Sequence, residues 1–557
     1  MTVKPLQAYL TLVAFWACIY LPGLGSREIR GEEWRRTLPA RTMLQTGEWL
    51  VPYSAGEPYL RKPPLINWVT AASFHVTGVQ NEWTARLPSV LLVLLAVLGM
   101  HAFARLALGA SAASVGSVCV LTTLGVIEKG RIAELEVYYI AFTGLAFTAW
   151  LAGHMGRLQR WISWLAAGLF LGLGLLTKGP MHLFFFYALV VGACWKGRRL
   201  RDLVSWSHLA GLAVCLAVFL AWAVPFVEAY GRIVGVAGGD VLKAWSHEVS
   251  SRVTGEERTS FFDWLLRGPR ACTMFLPWVV LVPLWWRRSL LAAVFTDEAH
   301  RKLFEGLASG VAVSFALMVL LPSSSPRYVA PLLAPASLLT GWLLAAGGDS
   351  LRTVMSRWQI VNRVGIAFSL LVALVGLALV LLRPDLRPPL WTLALVTAGL
   401  CLAAGIVYYR PWAVPLSCTL VGQSVIVVAL LVAALVCFVD LPPERSTVVR
   451  PLSLAIRQFI TPQDGPLYAF HLGPTPYPFY LPNDTVEVDK PQQMPEAGVR
   501  WILTNAKTEQ AFRVWFERRY GTVAKVAEFN GTWGASSSDP DRRLVLLRFG
   551  ESAGVAR

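Results

Sequence analysis

The feature that most limits what this chain can fold into is a series of apolar runs, most of them long enough to cross a lipid bilayer. Such a crossing takes about 20 mostly apolar residues in a helix. Runs of this kind lie at Leu6–Leu24, Leu87–Leu106, Ala112–Ile127, Leu135–Leu151, Trp161–Thr177, Met181–Trp195 and Leu209–Val227. They continue at Ala271–Trp286, Leu303–Leu321, Val329–Ala346, Val364–Leu382, Leu390–Tyr408 and Val414–Val439. The pattern predicts a mainly α membrane protein with about thirteen transmembrane helices. Only 15% of the residues are charged, against about 25% in soluble domains, which excludes both a soluble globular chain and a disordered one. The first run is longer than the apolar core of a signal peptide and lacks a convincing small-residue cleavage site, so it reads as a retained helix.

Lys and Arg in the short loops set the orientation. With Lys4 inside, the inner loops hold Arg105, Arg157 with Arg160, the cluster Lys196 to Arg201, Arg287 with Arg288, Arg352 with Arg357, and Arg410. The alternation predicts an odd number of spans and a C-terminus outside the cytoplasm. The formal charge of +16 would indicate nucleic acid in a soluble protein. Placed in these loops it indicates anionic and phosphate-bearing lipids instead. Residues 1–440 are expected to form the membrane domain and 441–557 a small extracytoplasmic α/β domain. In the latter, Leu467–His471, Val499–Thr504 and Arg543–Phe549 read as strands and Thr508–Arg519 as a helix. Two long outer segments interrupt the membrane domain. Residues 26–82 read as short surface-lying helices, and residues 228–269 as a flexible loop or lid.

The first outer segment carries Arg30-Gly31-Glu32-Glu33-Trp34-Arg35-Arg36, two adjacent carboxylates among arginines just beyond a membrane helix. A carboxylate there could accept a proton from an incoming hydroxyl while cations hold a lipid phosphate. The same pair could equally do no more than balance the arginines at a helix start. Downstream, Arg61-Lys62-Pro63-Pro64 reads as a phosphate clamp or as basic side chains snorkelling to headgroups. Arg131-Ile132-Ala133-Glu134-Leu135-Glu136 opens the fourth run. Acids entering a membrane helix are functional or paired, here with Lys129 or Arg131. Residues two apart do not share a helix face, so at most one of Glu134 and Glu136 is expected in a common site.

Lys178, in Thr177-Lys178-Gly179-Pro180, and Arg327, before Tyr328, break apolar runs on the outer side. Each is a phosphate ligand or an interface anchor. The eight cysteines are scattered, without a CxxC pair, which argues against a zinc site or a disulfide framework. No Gly-rich nucleotide loop and no Ser-His-Asp arrangement occurs.

Taken in order, Glu32-Glu33-Trp34-Arg35, Ala40 to Pro52, Arg61 to Leu65, Asn81 to Ser89, Thr177 to Pro180 and Arg327-Tyr328 resemble the bacterial membrane glycosyltransferases of the aminoarabinose-transferase and protein-mannosyltransferase type. These have the C-type glycosyltransferase fold. The resemblance implies a polyprenyl-phosphate sugar donor, inverting transfer on the extracytoplasmic face of the inner membrane, and a lipid, glycan or protein acceptor. It implies Glu32, Glu33 and Glu134 as catalytic residues. Arg35, Arg61, Lys62, Arg131, Glu136, Lys178, Arg327 and Tyr328 would bind substrate. Glu32 and Glu134 would hold a divalent cation if one is used; no other cofactor, no nucleic acid and a monomer are expected. The chain departs from the family in having Glu at 32 where the family has Asp, Arg36 where Tyr is common, and Pro39 inside the surface helix, which is therefore expected to be shortened or kinked. The competing class is a transporter or flippase of lipid-linked sugars, which would use the same basic surface and intramembrane acids. Transporters of that kind usually carry internal repeats, and none is evident here.

Overall fold

In the computed structural model the described residues are 5–357 and 449–549, except 30, 55–56, 60–61, 242, 244–259, 322–323, 353, 355, 473–476, 482–484, 489 and 530–542. The three helices expected between Val364 and Val439 lie outside them, as does Arg61.

The chain begins with α1 (Pro5–Tyr20), then α2 (Trp34–Thr46), a two-stranded hairpin of β1 (Tyr53–Ser54) and β2 (Glu57–Pro58), and α3 (Leu65–Thr77). The expected short helices of the first outer segment are therefore α2 and α3. Next come α4 (Glu82–Leu108), α5 (Ala110–Thr122), α6 (Leu124–Gly130), α7 (Glu136–His154), α8 (Arg160–Lys178), α9 (Met181–Lys196) and α10 (Trp206–Val234). After these follow α11 (Phe261–Thr273), a 3-10 segment at Trp278–Trp286, α12 (Arg288–Val294) and α13 (Glu298–Leu320). A 3-10 turn at Pro326–Leu332 then leads into α14 (Leu333–Ala346). Of the second long segment, residues up to Val234 belong to α10 and those from Phe261 to α11; the expected loop or lid between them lies mostly outside the described residues.

Among the described residues five helices are long and apolar enough to cross a membrane, or up to seven if each of two bent pairs is one span. The run at Ala112–Ile127 is one such pair, since α5 and α6 meet at 60°. The run at Ala271–Trp286 is not one helix either: α11 and the 3-10 segment meet at 98°, where Pro277 and Pro283 remove backbone donors. The two breaks satisfy each other. The Leu124 N–H donates to the Leu276 carbonyl at 2.8 Å and the Gly125 N–H to the Met274 carbonyl at 2.7 Å. Broken backbone at membrane depth requires such internal partners. A side chain at 125 would meet the Met274 carbonyl at 2.9 Å, so the contact depends on glycine.

Helix α7 sits at the centre, buried from Glu136 through Ala152, which is why its sequence is apolar all round. Helices α5 and α14 approach through Gly116 and Gly341, where a Cβ on Gly341 would lie 2.2 Å from the Gly116 Cα. Gly341→Ala is therefore expected to lower the melting temperature in detergent, by the overpacking cost of about 1–3 kcal/mol. Gly239→Ala, with nothing within 4 Å of the added methyl, should leave it unchanged. Equal melting points for both variants would refute the close approach.

Helix α2 is not cut short at Pro39 and continues through it to Thr46. Pro39 lies in its second turn, so a single hydrogen bond, to the Arg35 carbonyl, is forgone. Leu38, Ala40 and Met43 hold the helix by burial.

After α15 (Val449–Ile456) comes a five-stranded sheet of β3 (Leu467–Phe470), β4 (Thr485–Val488), β5 (Trp501–Asn505), β6 (Val523–Phe529) and β7 (Leu544–Phe549) in the order β4-β3-β5-β7-β6. Strand β3 pairs parallel with both β4 and β5; the remaining pairs are antiparallel. Helix α16 (Ala506–Tyr520) covers one face through Phe512, Trp515 and Phe516. The sequence anticipates β3, β5, β7 and α16 but not β4 or β6. Strand β4 is short, and β6 carries Lys525 and Glu528 on an edge with a register shift.

Candidate active site

Several loops and helix ends of the helix bundle contribute polar side chains to a cavity. It contains about 530 Å³ of empty space, part of it open to solvent. Its walls are Glu32, Arg35, Arg36, Tyr59, Lys62, Leu135, Glu136, Lys178, Arg327 and Tyr328. Glu32, Arg35 and Arg36 stand at the start of α2, Tyr59 and Lys62 after the hairpin, Leu135 and Glu136 at the start of α7, Lys178 at the end of α8, and Arg327 with Tyr328 on the 3-10 turn before α14.

Gly31 has φ 55°, a conformation that a side chain would penalise. The turn it makes sends the adjacent carboxylates to different places. Glu32 faces the cavity with its side chain 31% exposed; Arg35 donates to both of its oxygens at 3.0 and 2.9 Å. Glu33 is fully buried. Its two oxygens accept from Arg86 Nε at 2.8 Å and Nη2 at 2.9 Å, and Oε1 also takes the Ala133 N–H at 2.9 Å. The remaining Arg86 donors reach the carbonyls of Leu24, Arg27 and Glu28.

The two acids near the start of α7 separate: Glu136 is its first residue, and Glu134 lies just before it. Glu136 lines the cavity, 2.8 Å from Lys178 Nζ and 3.7 Å from Arg327 Nε. Glu134 does not line it; its carboxylate accepts from Lys129 Nζ at 3.2 Å. Burial pushes the Glu134 carboxyl above the usual carboxylate range, more than Lys129 pulls it down. Arg131 also lies outside the cavity, donating to the carbonyls of Ile19 and Pro22 and so fixing the end of α1.

Seven of the residues singled out in the sequence thus converge: Glu32, Arg35, Lys62, Glu136, Lys178, Arg327 and Tyr328. Glu33, Glu134 and Arg131 do not, because each is turned onto a buried partner. Arg36, Tyr59 and Leu135 were missed. Arg36 attracts attention in the sequence only as a departure from a common Tyr, and Tyr59 only as a neighbour of Arg61 and Lys62.

The electrostatics of the cavity favour an anion. Five cationic side chains face two carboxylates. Arg36 Nη1 donates to the Tyr59 hydroxyl at 3.3 Å, and Arg36 Nη2 lies 4.0 Å from Glu32. Among the described residues, the Nε atoms of Arg36 and Arg327 are buried without a hydrogen-bond partner. An unsatisfied buried donor of this kind costs about 1–3 kcal/mol, which an incoming phosphate oxygen would relieve. Lys178 also lies 4.9 Å from the centre of the Tyr328 ring, which confines it to the wall. A divalent cation fits these residues poorly. Glu32 and Glu134 are each neutralised by a basic side chain, and among the described residues no three His, Cys, Asp or Glu side chains converge to hold a metal.

Residues 61–224 match the family model described as dolichyl-phosphate-mannose-protein mannosyltransferase. The chain is 28% identical over 438 residues to the undecaprenyl phosphate-α-4-amino-4-deoxy-L-arabinose arabinosyl transferase of Pseudomonas paraeruginosa, covering 76% of this chain and 75% of that one. It is 26% identical over 418 residues to the enzyme of the same name from Erwinia tasmaniensis, covering 74% and 71%. Its fold is that of ArnT from Cupriavidus metallidurans bound to undecaprenyl phosphate, at 19% identity, a TM-score of 0.73 and coverage of 98% of this chain and 99% of that one.

Proposed function

We infer that this chain is a polyprenyl-phosphate-dependent glycosyltransferase of the C-type fold, a multi-pass protein of the bacterial inner membrane. It moves a sugar from its lipid carrier to a lipid, glycan or protein acceptor with inversion. The observation that carries the reading is the one cavity in which the most exposed of four candidate carboxylates, Glu32, faces a cluster of cations. None of the relatives named above is a transporter, and an inverting displacement needs no covalent enzyme intermediate.

The assignment of roles follows the geometry. The acceptor oxygen attacks the anomeric carbon and forms the new glycosidic bond. The bond from that carbon to the phosphate oxygen breaks, and its electron pair leaves with the polyprenyl phosphate, which gains negative charge. Lys62, Lys178 and Arg327, with Arg36, stabilise that charge where it develops. Glu32 takes the proton of an acceptor hydroxyl, or positions an amine or phosphate acceptor; Arg35 orients it. Glu136 holds Lys178 in place. Glu33 and Arg131 act as positioning residues behind the wall, and Glu134 pairs with Lys129 in the same layer. No step requires a metal. Residues 1–440 form the membrane part and 441–557 a domain capping the outer face, where the cavity opens; the protein works as a monomer.

The relatives make undecaprenyl phosphate-4-amino-4-deoxy-L-arabinose the first donor to test, followed by other polyprenyl-phosphate sugars. Purified protein with the donor and envelope lipid extract should release undecaprenyl phosphate and yield a glycosylated acceptor by mass spectrometry. Donor translocation across proteoliposomes without any covalent transfer would instead establish a flippase. Lys62→Ala should weaken undecaprenyl phosphate binding about 10- to 100-fold, the value of a lost charge-assisted hydrogen bond. Unchanged affinity removes Lys62 from the phosphate site.

A further inference from the structure

We infer that the C-terminal domain is a working part of the catalytic centre: it grips the segment from Glu28 to Arg41 and thereby sets where the Glu32 carboxylate stands, with Tyr480 and Arg41 as positioning residues. This rests on the glycosyltransferase reading above and extends it to a part of the chain that does not line the cavity.

The grip is made of four contacts distant in sequence. The Tyr480 hydroxyl accepts the Ile29 N–H at 2.7 Å and donates to Glu82 Oε1 at 2.8 Å. Arg41 Nη1 donates to the carbonyls of Pro478 at 3.1 Å and Leu481 at 2.7 Å. Glu28 Oε2 accepts the N–H groups of Val449 at 3.0 Å and Arg450 at 2.9 Å. The Phe479 ring packs in one apolar cluster with Ile29, Trp34 and Leu38. These contacts fall on both sides of Glu32, at Ile29 before it and Arg41 after it.

Helix α2 needs such support. It has 13 residues and no side-chain cap at its N-terminus, and Pro39 removes one of its hydrogen bonds. Isolated helices of about 12–15 residues are marginal in water, so the contacts of α2 decide its position. Burial holds the Tyr480 phenol up at about 12. It therefore stays protonated and keeps both bonds through the working pH range. Of the cations of the phosphate wall, Lys62, Lys178 and Arg327 sit on other elements, outside this grip, and Arg36 lies within it. The domain therefore acts mainly on the proton-accepting side of the cavity.

The test uses the full-length protein with Tyr480→Phe, Arg41→Met and Arg41→Lys. In Tyr480→Phe and Arg41→Met, kcat should fall tenfold or more, while the donor KM and the affinity for undecaprenyl phosphate, held mostly by Lys62, Lys178 and Arg327, change by less than about threefold. Amide exchange should rise over residues 34–46 at an unchanged melting temperature, and Arg41→Lys should recover part of kcat. Unchanged kcat, a raised KM with unchanged kcat, or a loss that follows a matching fall in melting temperature overturns the inference. Should the wild type transfer no sugar at all, the glycosyltransferase reading fails instead. Unchanged exchange over residues 34–46 would then still defeat the grip on its own.

Discussion

Glu32→Gln should lower kcat by about 10²- to 10⁴-fold, the contribution of a positioned general base, while the protein still folds and still binds undecaprenyl phosphate. The amide preserves the shape of the side chain and one acceptor oxygen for Arg35 but cannot take a proton. The loss of the ion pair with Arg35 is a minor effect by comparison. That pair is about one-third exposed on both sides, and such pairs contribute about 0–1 kcal/mol, whereas the expected loss of rate corresponds to about 3–5 kcal/mol of barrier. Stability and activity therefore part company in this variant. Turnover and melting temperature measured on the same preparation separate them. Wild-type turnover removes the base from position 32, and a large loss of melting temperature would show that the carboxylate serves the fold.

Most of the cavity is legible in the sequence because its chemistry lies at the ends of apolar runs. Lys178 and Arg327 are conspicuous where they stand; of Glu134 and Glu136 only the second lines the cavity, but Glu134 lies before α7, so the helix-face argument does not apply to the pair. Choosing between the two takes the structure, because either could have met the Lys129 ammonium. Glu33 beside Glu32 is the more instructive case. Adjacent residues at a helix start point apart, and the partner that captures Glu33 is Arg86, 53 residues away on α4. Nothing local to Glu33 announces that pairing. The grip of the C-terminal domain is more remote still, with Ile29 and Tyr480 separated by 451 residues. Spacing rules report which side chains share a face of one element; they are silent on which elements meet. The same limit explains the two bent spans. Pro277 and Pro283 mark the second break in the sequence, but the donation of the Leu124 and Gly125 N–H groups to the Leu276 and Met274 carbonyls, which makes both breaks tolerable, is local to neither.

Arg86→Met should be strongly destabilising among changes in the layer behind the cavity. The Arg86 side chain is 3% exposed and Glu33 1%, and the guanidinium fills its donors with Glu33 and three backbone carbonyls. Removing it takes from a buried carboxylate the guanidinium that both of its oxygens bond and strips the turn before α2 of its anchor. Breaking a buried pair from one side costs about 3–5 kcal/mol, a large share of any domain's stability. Glu33→Gln should cost less, because Arg86 keeps its three carbonyl partners and the amide can still accept from Ala133. The double variant Glu33→Gln with Arg86→Met should recover part of the loss, since no uncompensated charge remains. The order of melting temperatures in detergent is therefore wild type, Glu33→Gln, the double variant, then Arg86→Met. If Arg86→Met melted with the wild type, the pair would carry no net energy. The position of Glu32, one residue from Glu33, would then have to be set by Arg35 and the C-terminal grip alone.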